Sequence, residues 1–511
     1  MRTKNSFLNF LANEGSHFIN IILSFVCRTV FVYTLSSEYL GVNGLFGNIL
    51  TVLNLAELGI GTAMNFHIYK PVAENNYVQQ QQLMNLYKKM YTVVGTFIGV
   101  VGLCLTPFLS YLIKDEPDIE GLTVIYLLYL FGTVSTYFFS YKRAIIDAHQ
   151  KQYIGTMVNT VFTITQFLVQ IIVLLVFRNF IAFLLVMIIC GLLTNITVSI
   201  IADRMYPYLK EDRKSLPSAE VMHSIKKNVG AMFLHRLGDV FVNNTDNLIL
   251  SKFVGLASVG IYSNYIMIMN TVRTALNGVF GAVTASVGNL HANEDKESLY
   301  RVYKVLLFLG FWLYGFCSTA FVVMYNPFIE QWIGKDYLFD IPVVLSFVAV
   351  FYINGMRAVT ITLRDAMGLY WYDRYKPIFE VIINLVASIY LVIKFGAIGV
   401  FLGTVISDLT TCCWIEPLVT YKYGFKRPVR QYFVMFGLYS AAVAVIGGFT
   451  YWLCGLITIG GWLGVFAKLG TCIVVYNVIV LIAFCRTYPF KELYATLIRM
   501  LKEFRHKGAR K

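Results

Sequence analysis

Residues 228–250 read NVGAMFLHRLGDVFVNNTDNLIL. The stretch has the length and flanks of a membrane span, yet it carries Arg236, Asp239, Asn243 and Asp246. At helical spacings of three and four these residues fall on one side. Each charge near mid-span costs roughly 2.5 to 3.5 kcal/mol on insertion scales. Such a helix cannot turn that side to lipid. It must face a bundle interior or a water-filled cavity, where ionisable groups are functional candidates. The plainer alternative is a structural pair of Arg236 with Asp239, one turn away.

Composition sets the frame for that helix. The 511 residues are 57% hydrophobic and 14% charged, with mean hydropathy +0.65, whereas a soluble domain is about 25% charged. The class is an all-α polytopic membrane protein. A net charge of +14 invites nucleic acid, but the basic residues lie in short loops between apolar runs, so no nucleic-acid partner is expected. The nine cysteines sit within apolar runs and have no metal-ligand spacing, so they read as small buried hydrophobes and no metal is expected. No GxxxxGK[ST] loop occurs, which argues against direct nucleotide coupling. The first apolar run lacks a small-residue cleavage site and is expected to stay as a span.

Runs of about 20 apolar residues fall at 9–34, 40–68, 90–113, 121–147, 153–177 and 179–202, then at 228–250, 258–288, 303–326, 341–366, 376–395, 397–420, 431–453 and 461–485. That makes about fourteen transmembrane helices with both termini on one side. Most of the 42 basic residues lie in loops on the side of the termini. The opposite loops carry only Lys114, Arg178, Lys252, Lys335 and Lys394. The asymmetry places both termini in the cytoplasm. The basic tail 486–511 puts Leu493, Leu497, Leu501 and Phe504 on one face, the pattern of an interfacial amphipathic helix beside anionic lipid.

The two halves repeat one another. Tyr39-Leu40-Gly41-Val42 matches Ser258-Val259-Gly260-Ile261, and the same offset pairs Phe46 with Tyr265, Gly59 with Gly278 and Ala73 with Ala292. Asp147-Ala148 matches Asp365-Ala366 at an offset one residue shorter. Six spans separate the repeats, so the halves share an orientation and are related by a pseudo-two-fold axis along the membrane normal. The expected organisation is a six-helix lobe at 1–202, a cytoplasmic linker at 203–227, a second six-helix lobe at 228–420, two additional helices at 431–485 and the tail at 486–511.

Several spans carry polar faces. In the first, Asn13, His17, Asn20, Ser24 and Arg28 fall within about 80°. The second shows Thr51, Asn54, Glu57 and Asn65; the fourth Tyr126, Tyr129, Thr133, Tyr137, Ser140 and Asp147; the eighth Asn270, Arg273, Asn277 and Thr284; the tenth Asn354, Arg357, Thr360 and Arg364. The third, fifth and ninth are more uniformly apolar and read as outer helices. Taken singly, Ser, Thr and Asn are best explained by interhelical hydrogen bonds, the tyrosines by core packing, and His17 and His67 as satisfied or interfacial histidines. Arg28, Arg236, Arg273 and Arg357 are harder to explain that way. Against them stand four in-span acids, Glu57, Asp239, Asp246 and Asp408. The arginines are therefore partly uncompensated unless a substrate brings negative charge, and arginine suits phosphate through its permanent charge and bidentate geometry.

With these features the chain resembles the polysaccharide and oligosaccharide-lipid flippases of the multidrug/oligosaccharidyl-lipid/polysaccharide exporter superfamily. The resemblance rests on the span pattern, the six-span repeat, and the stretches YLGVNGLFGNILTVLNLAELGIGTAM, TDNLILSKFVGLASVGIYSNYIMI and FGAIGVFLGTVISDL. It implies two lobes around a central cavity working by alternating access in a bacterial plasma membrane. The implied substrate is an undecaprenyl-pyrophosphate-linked oligosaccharide moved to the outer leaflet, with a polysaccharide polymerase among the assembly partners. In related lipid II flippases arginines on the first and eighth helices face the cavity, a role that carries over to Arg28 and Arg273 and by position to Arg236 and Arg357. Asn20, Asn54, Tyr137, Asn243, Asn270, Asn277 and Asn354 would complete the polar lining. Glu57, Asp239 and Asp246 are the candidates for coupling to Na+ or H+; no other cofactor is expected.

Two other functions compete. A multidrug cation antiporter of the same fold needs an acidic cavity, and the charge count leans basic. A membrane glycosyltransferase or polymerase is suggested by Asp115, Glu116, Asp118 and Glu120, but its acceptor generally needs a sizeable outer domain, and the longest outer loop runs only from Asn326 to Asp340.

Overall fold

A computed structural model describes residues 2–57, 60–114, 119, 121–211, 215–293, 296–367, 369 and 372–508. The side chains of 230–243 and 281–296 lie outside the described set. All the regular structure among the described residues is helical. The helices are α1 (Arg2–Thr34), α2 (Ser37–Leu53), α3 (Ile60–Ala73), α4 (Tyr77–Leu105), α5 (Leu122–Ser140), α6 (Arg143–Ala148), α7 (Gln152–Phe177), α8 (Phe180–Met205) and α9 (Ala219–Phe253). They continue with α10 (Leu256–Asn293), α11 (Lys296–Ile333), α12 (Ile341–Ala366), α13 (Lys376–Phe395), α14 (Ala397–Ser407), α15 (Cys413–Val419), α16 (Arg430–Gly455), α17 (Gly461–Phe484) and α18 (Tyr488–Gly508).

Eleven of the described helical segments are long and apolar enough to cross a membrane. The second, seventh and eighth expected spans lie outside that set, and much of the seventh and eighth, 230–243 and 281–288, lies outside the described side chains. The second is broken: α2 ends at Leu53, a tight 3-10 turn covers Asn54–Glu57, and α3 resumes at Ile60. The seventh and eighth are the long helices α9 and α10. The linker is shorter than 203–227, because α8 runs to Met205 and α9 begins at Ala219.

The chain divides into two compact units, Met1–Ser263 and Asn264–Lys511, so the division falls inside α10. The expected lobe boundary lay before α9; in the structure α9 packs along α2 and α3 and belongs to the first unit. Asn48 Nδ2 donates to the Asn244 carbonyl at 3.5 Å, and the Lys114 N–H donates to the Ser251 carbonyl at 3.1 Å. The start of α10 crosses α2 through a reciprocal pair of glycines. A Cβ on Gly41 would lie 2.1 Å from the Leu256 carbonyl oxygen, and one on Gly260 would lie 2.2 Å from that of Ser37. Gly41 and Gly260 are matched in the repeat, and Ser37 and Leu256 stand at the same offset, so each repeat presents the same glycine to the same carbonyl of the other. Only a residue without a side chain allows that approach.

Elsewhere in the first unit α7 packs between α1 and α8, and α5 joins α4 to α8. In the second unit α11 is central, packing against α12, α16, α17 and α18. This corrects the expectation that the ninth span is an outer helix. A helix apolar all round suits a protein interior as well as lipid, and α11 is enclosed: Phe311 stacks on Tyr439 with ring centroids 4.6 Å apart, and Trp312 Nε1 donates to Asn477 Oδ1 at 2.8 Å. The tail is helical as expected and joins this group, with Phe490 of α18 beside Trp312.

The tightest pairing in the second unit is the hairpin of α13 and α14. Its turn is Gly396, at φ 66°. A Cβ on Gly399 would fall 2.3 Å from the Leu391 carbonyl carbon, and one on Gly403 would fall 2.5 Å from the Ser388 Cα. Small residues at this spacing let two backbones meet without intervening side chains.

Candidate functional site

Among the described residues each unit holds a polar centre, half-buried in the first and buried in the second, that forms where a helix departs from regular geometry. In the first unit the site is the break after α2. Asn54 and Glu57 occupy the tight turn, and α4 and α5 bring tyrosines to it. The Tyr137 hydroxyl lies 2.8 Å from Glu57 Oε2 and 3.0 Å from Asn54 Oδ1. The Tyr91 hydroxyl donates to Glu57 Oε1, and the Tyr87 hydroxyl donates to that of Tyr91 at 3.1 Å. Among the described residues no basic side chain is ion-paired with Glu57. A carboxyl held by neutral hydroxyls can exchange a proton or a small cation while those hydroxyls stay in place.

In the second unit the centre is Arg357 of α12, which is 6% exposed. Its Nε and Nη2 donate to Glu416 at 3.1 and 2.9 Å, its Nη1 to Asp408 Oδ1 at 2.5 Å and to Asn354 Oδ1 at 2.7 Å, and Glu380 lies 3.9 Å away. Lys376 adds a second cation, 2.5 Å from Glu416 and 3.6 Å from Glu380. Two cations thus face three carboxylates, leaving one surplus negative charge. Asp408 Oδ2 is buried with no hydrogen-bond partner among the described residues. Glu380, Asp408 and Cys412 bring ligand atoms within 4.8 Å of one another, a grouping able to hold a cation.

The helix that supplies Asp408 and Glu416 is not a regular α-helix. Between α14 and α15 it widens into a π turn at Asp408–Cys412, and it widens again at Thr420–Phe425. Eight residues apart in an unbroken α-helix lie about 80° apart around the axis. The wide turn takes up part of that angle, so both carboxylates reach Arg357. Beyond the cluster, Arg364 reaches Asp373 and Asp365. Burial pushes the Asp373 carboxyl above its ordinary range, and the Arg364 guanidinium opposes that rise.

The expected site residues therefore separate. Arg357, expected among the uncompensated cations, is instead saturated by acids, because Glu380 and Glu416 lie within the spans and add to the four acids counted from the sequence. Asn354 is likewise committed to Arg357. Arg28 is half-buried and its Nη2 donates to Ser263 Oγ. On α10, Asn270 and Asn277 are exposed and Arg273 is half-buried between them, so the polar face of that helix is open. Asn20 approaches Ser16 Oγ at 3.5 Å, while Asn13 accepts from Thr156 of α7 at 2.9 Å, an interhelical bond. Asp246 is half-buried. The side chains of Arg236, Asp239 and Asn243, and the acids Asp115, Glu116, Asp118 and Glu120 altogether, lie outside the described set. Tyr126 and Tyr129 pack on Phe46 in the core. His67 is satisfied by the Ala63 carbonyl at 2.8 Å and Ser224 Oγ at 3.2 Å. Sequence reasoning missed Lys376, Glu380 and Glu416. The available signal was Lys376 and Glu380 one turn apart at the start of a span.

Comparison with known proteins agrees with the helical architecture. The polysaccharide biosynthesis protein family matches residues 4–285. None of the curated proteins matches. Among solved structures the chain is similar to the lipid II flippase MurJ in an inward closed conformation, at 13% identity and TM-score 0.65 over 94% of this chain and 99% of that one. It is similar to a multidrug resistance MATE family transporter of the MOP superfamily in its inward-facing conformation, at 15% identity and TM-score 0.62 over 78% and 94%. A mutant of the Vibrio cholerae MATE transporter VcmN aligns at 14% identity and TM-score 0.56 over 84% and 99%. At these identities the structural matches speak for the fold, and the family match covers more than half of the chain. The chain belongs to the polysaccharide biosynthesis protein family and is a multi-pass helical membrane protein with the fold of the MATE and MurJ transporters.

Proposed function

We propose that the protein is a flippase that moves undecaprenyl-pyrophosphate-linked oligosaccharide units from the cytoplasmic to the outer leaflet of a bacterial plasma membrane by alternating access. The observation that carries the reading is the open polar face of α10, with Arg273 between Asn270 and Asn277. A permanent cation on an open face of a membrane helix is costly against lipid and suits an anionic headgroup in water. Arg28 of α1, and Arg236 by its position, join it as phosphate-binding candidates. Arg357 does not, because its donors are already taken by carboxylates. The prenyl tail stays in lipid while the headgroup crosses, so the protein needs no covalent chemistry.

Coupling belongs in this reading to Glu57, whose carboxyl accepts from Tyr91 and Tyr137 and is ion-paired with no cation among the described residues; Asp239 and Asp246 are further candidates. Na+ or H+ is the proposed coupling ion. The test is export of surface polysaccharide in cells carrying Arg28→Ala, Arg236→Ala or Arg273→Ala, with protein levels measured in parallel. Export should fall at normal protein level; full export in all three variants overturns the arginine model. Ion-coupled efflux of a cationic dye by the unaltered protein would instead favour the antiporter.

A further inference from the structure

The second unit carries a basic pocket that the translocation reading does not use. It lies where the wide turn Thr420–Phe425 passes into α16, has a volume of about 540 Å3, and is lined by Leu418, Lys422, Lys426, Arg427, Pro428 and Val429. We propose that this pocket binds the phosphate headgroup of an anionic phospholipid of the surrounding leaflet.

Three observations support a lipid. The first is charge. Lys422 and Lys426 are exposed, and among the described residues no carboxylate lies within ion-pair distance of either. Lys422 lies over the Tyr423 ring, 5.4 Å from its centroid, and Arg427 is braced by Glu297 and by the Tyr300 ring, 4.4 Å from its guanidinium. Lys426 takes a left-handed backbone, φ 55°, and the next N–H returns to the Tyr421 carbonyl at 3.0 Å. This tight reversal gathers the three basic side chains around one mouth. Counting Glu297, the mouth keeps two net positive charges, and the adjoining N-terminus of the 26-residue α16 adds the positive end of its dipole.

The second observation is depth. Tyr423 and Tyr372 stack in the open, with centroids 4.0 Å apart, and Tyr375 is also exposed, three residues from Tyr372. Exposed Tyr at the ends of apolar helices marks the headgroup level of a bilayer. The third is a track for an acyl chain. Ile406, Leu409, Trp414 and Leu418 are exposed at spacings of three to five along the helical segments below Lys422, so an apolar strip leads to the cations. Free phosphate would account for the cations alone; a phospholipid accounts for the cations, the aromatic rings and the strip. The basic-loop asymmetry assigns this end to the cytoplasmic leaflet, where anionic lipids draw basic groups.

Native mass spectrometry of the purified full chain tests the assignment, with phosphatidylglycerol or phosphatidylcholine added to the micelles. The unaltered protein should retain phosphatidylglycerol in preference to phosphatidylcholine. The K422A/K426A double variant should bind phosphatidylglycerol roughly thirtyfold more weakly, and K422R/K426R should restore it. Both lysines are exposed, so a thermal melt equal to that of the unaltered protein shows that the loss is not misfolding. Equal retention of the two lipids, unchanged binding in K422A/K426A, or displacement of phosphatidylglycerol by millimolar inorganic phosphate would each overturn the proposal.

Discussion

The two polar centres solve opposite problems. In the first unit a single carboxyl, Glu57, is held by neutral donors, Tyr91 and Tyr137. In the second a single arginine, Arg357, is enclosed by Asp408, Glu380 and Glu416, with Lys376 sharing the acids. A carboxyl bonded to hydroxyls can be neutralised while its neighbours stay in place. A guanidinium locked by three acids cannot lose its charge, and every acid around it depends on that charge for compensation. The first arrangement suits exchange and the second suits permanence.

Breaking the second centre should give the largest effect. Arg357→Ala leaves buried carboxylates with Lys376 alone to balance them, and removing one partner of a buried network costs about 3–5 kcal/mol. Thermal unfolding in detergent should show a large loss of stability. Arg357→Met combined with Asp408→Asn and Glu416→Gln should recover much of it, because the charges are then removed together; a triple variant no more stable than Arg357→Ala would refute the reading.

Gly403→Ala probes how firmly the acids are held. Its Cβ would collide with Ser388 and wedge α13 from α14, at about 1–3 kcal/mol for overpacking. The same melt checks it, and an unchanged melt would show that the hairpin is looser than its geometry. Glu57→Gln sharpens the contrast from the other side. It keeps one acceptor for the tyrosines, so stability should fall by only about 1 kcal/mol, while polysaccharide export should collapse if Glu57 carries the exchangeable charge. Export at the unaltered level would remove Glu57 from the coupling role.

The smallest effect lies outside both centres. His149 stacks beside Tyr206 with centroids 4.4 Å apart, and Lys151 lies over the same ring. Burial lowers the His149 pKa from its ordinary value, with the Ile145 carbonyl opposing and Lys151 reinforcing. The folded state thus disfavours protonation. Its stability should decline as pH falls through about 6.5, the unfolded value, and His149→Gln should flatten that part of the melting profile.

Much of the fold was legible because apolar run length and loop charge are local properties. The helices follow the expected runs, and the repeat offset reappears as a physical contact. What was not legible depends on phase. Counting at 3.6 residues per turn could not bring Asp408 and Glu416 to one arginine, since the wide turn that aligns them has no signature in side-chain type. Arg357 looked uncompensated for that reason, and because Glu380 and Glu416 were not counted among the in-span acids. The broken second span read as continuous, because Glu57 has the spacing of a polar helix face and the change to a 3-10 turn is set by tertiary packing. The central place of α11 was missed because a helix apolar on every side is equally at home in lipid and in a protein core.

The reciprocal approach of Gly41 and Gly260 bears on origin. Each repeat offers the same residue to the same carbonyl of the other, which is the form of an isologous interface between identical subunits. The crossing thus keeps, within one chain, the geometry of a two-fold contact between equivalent segments.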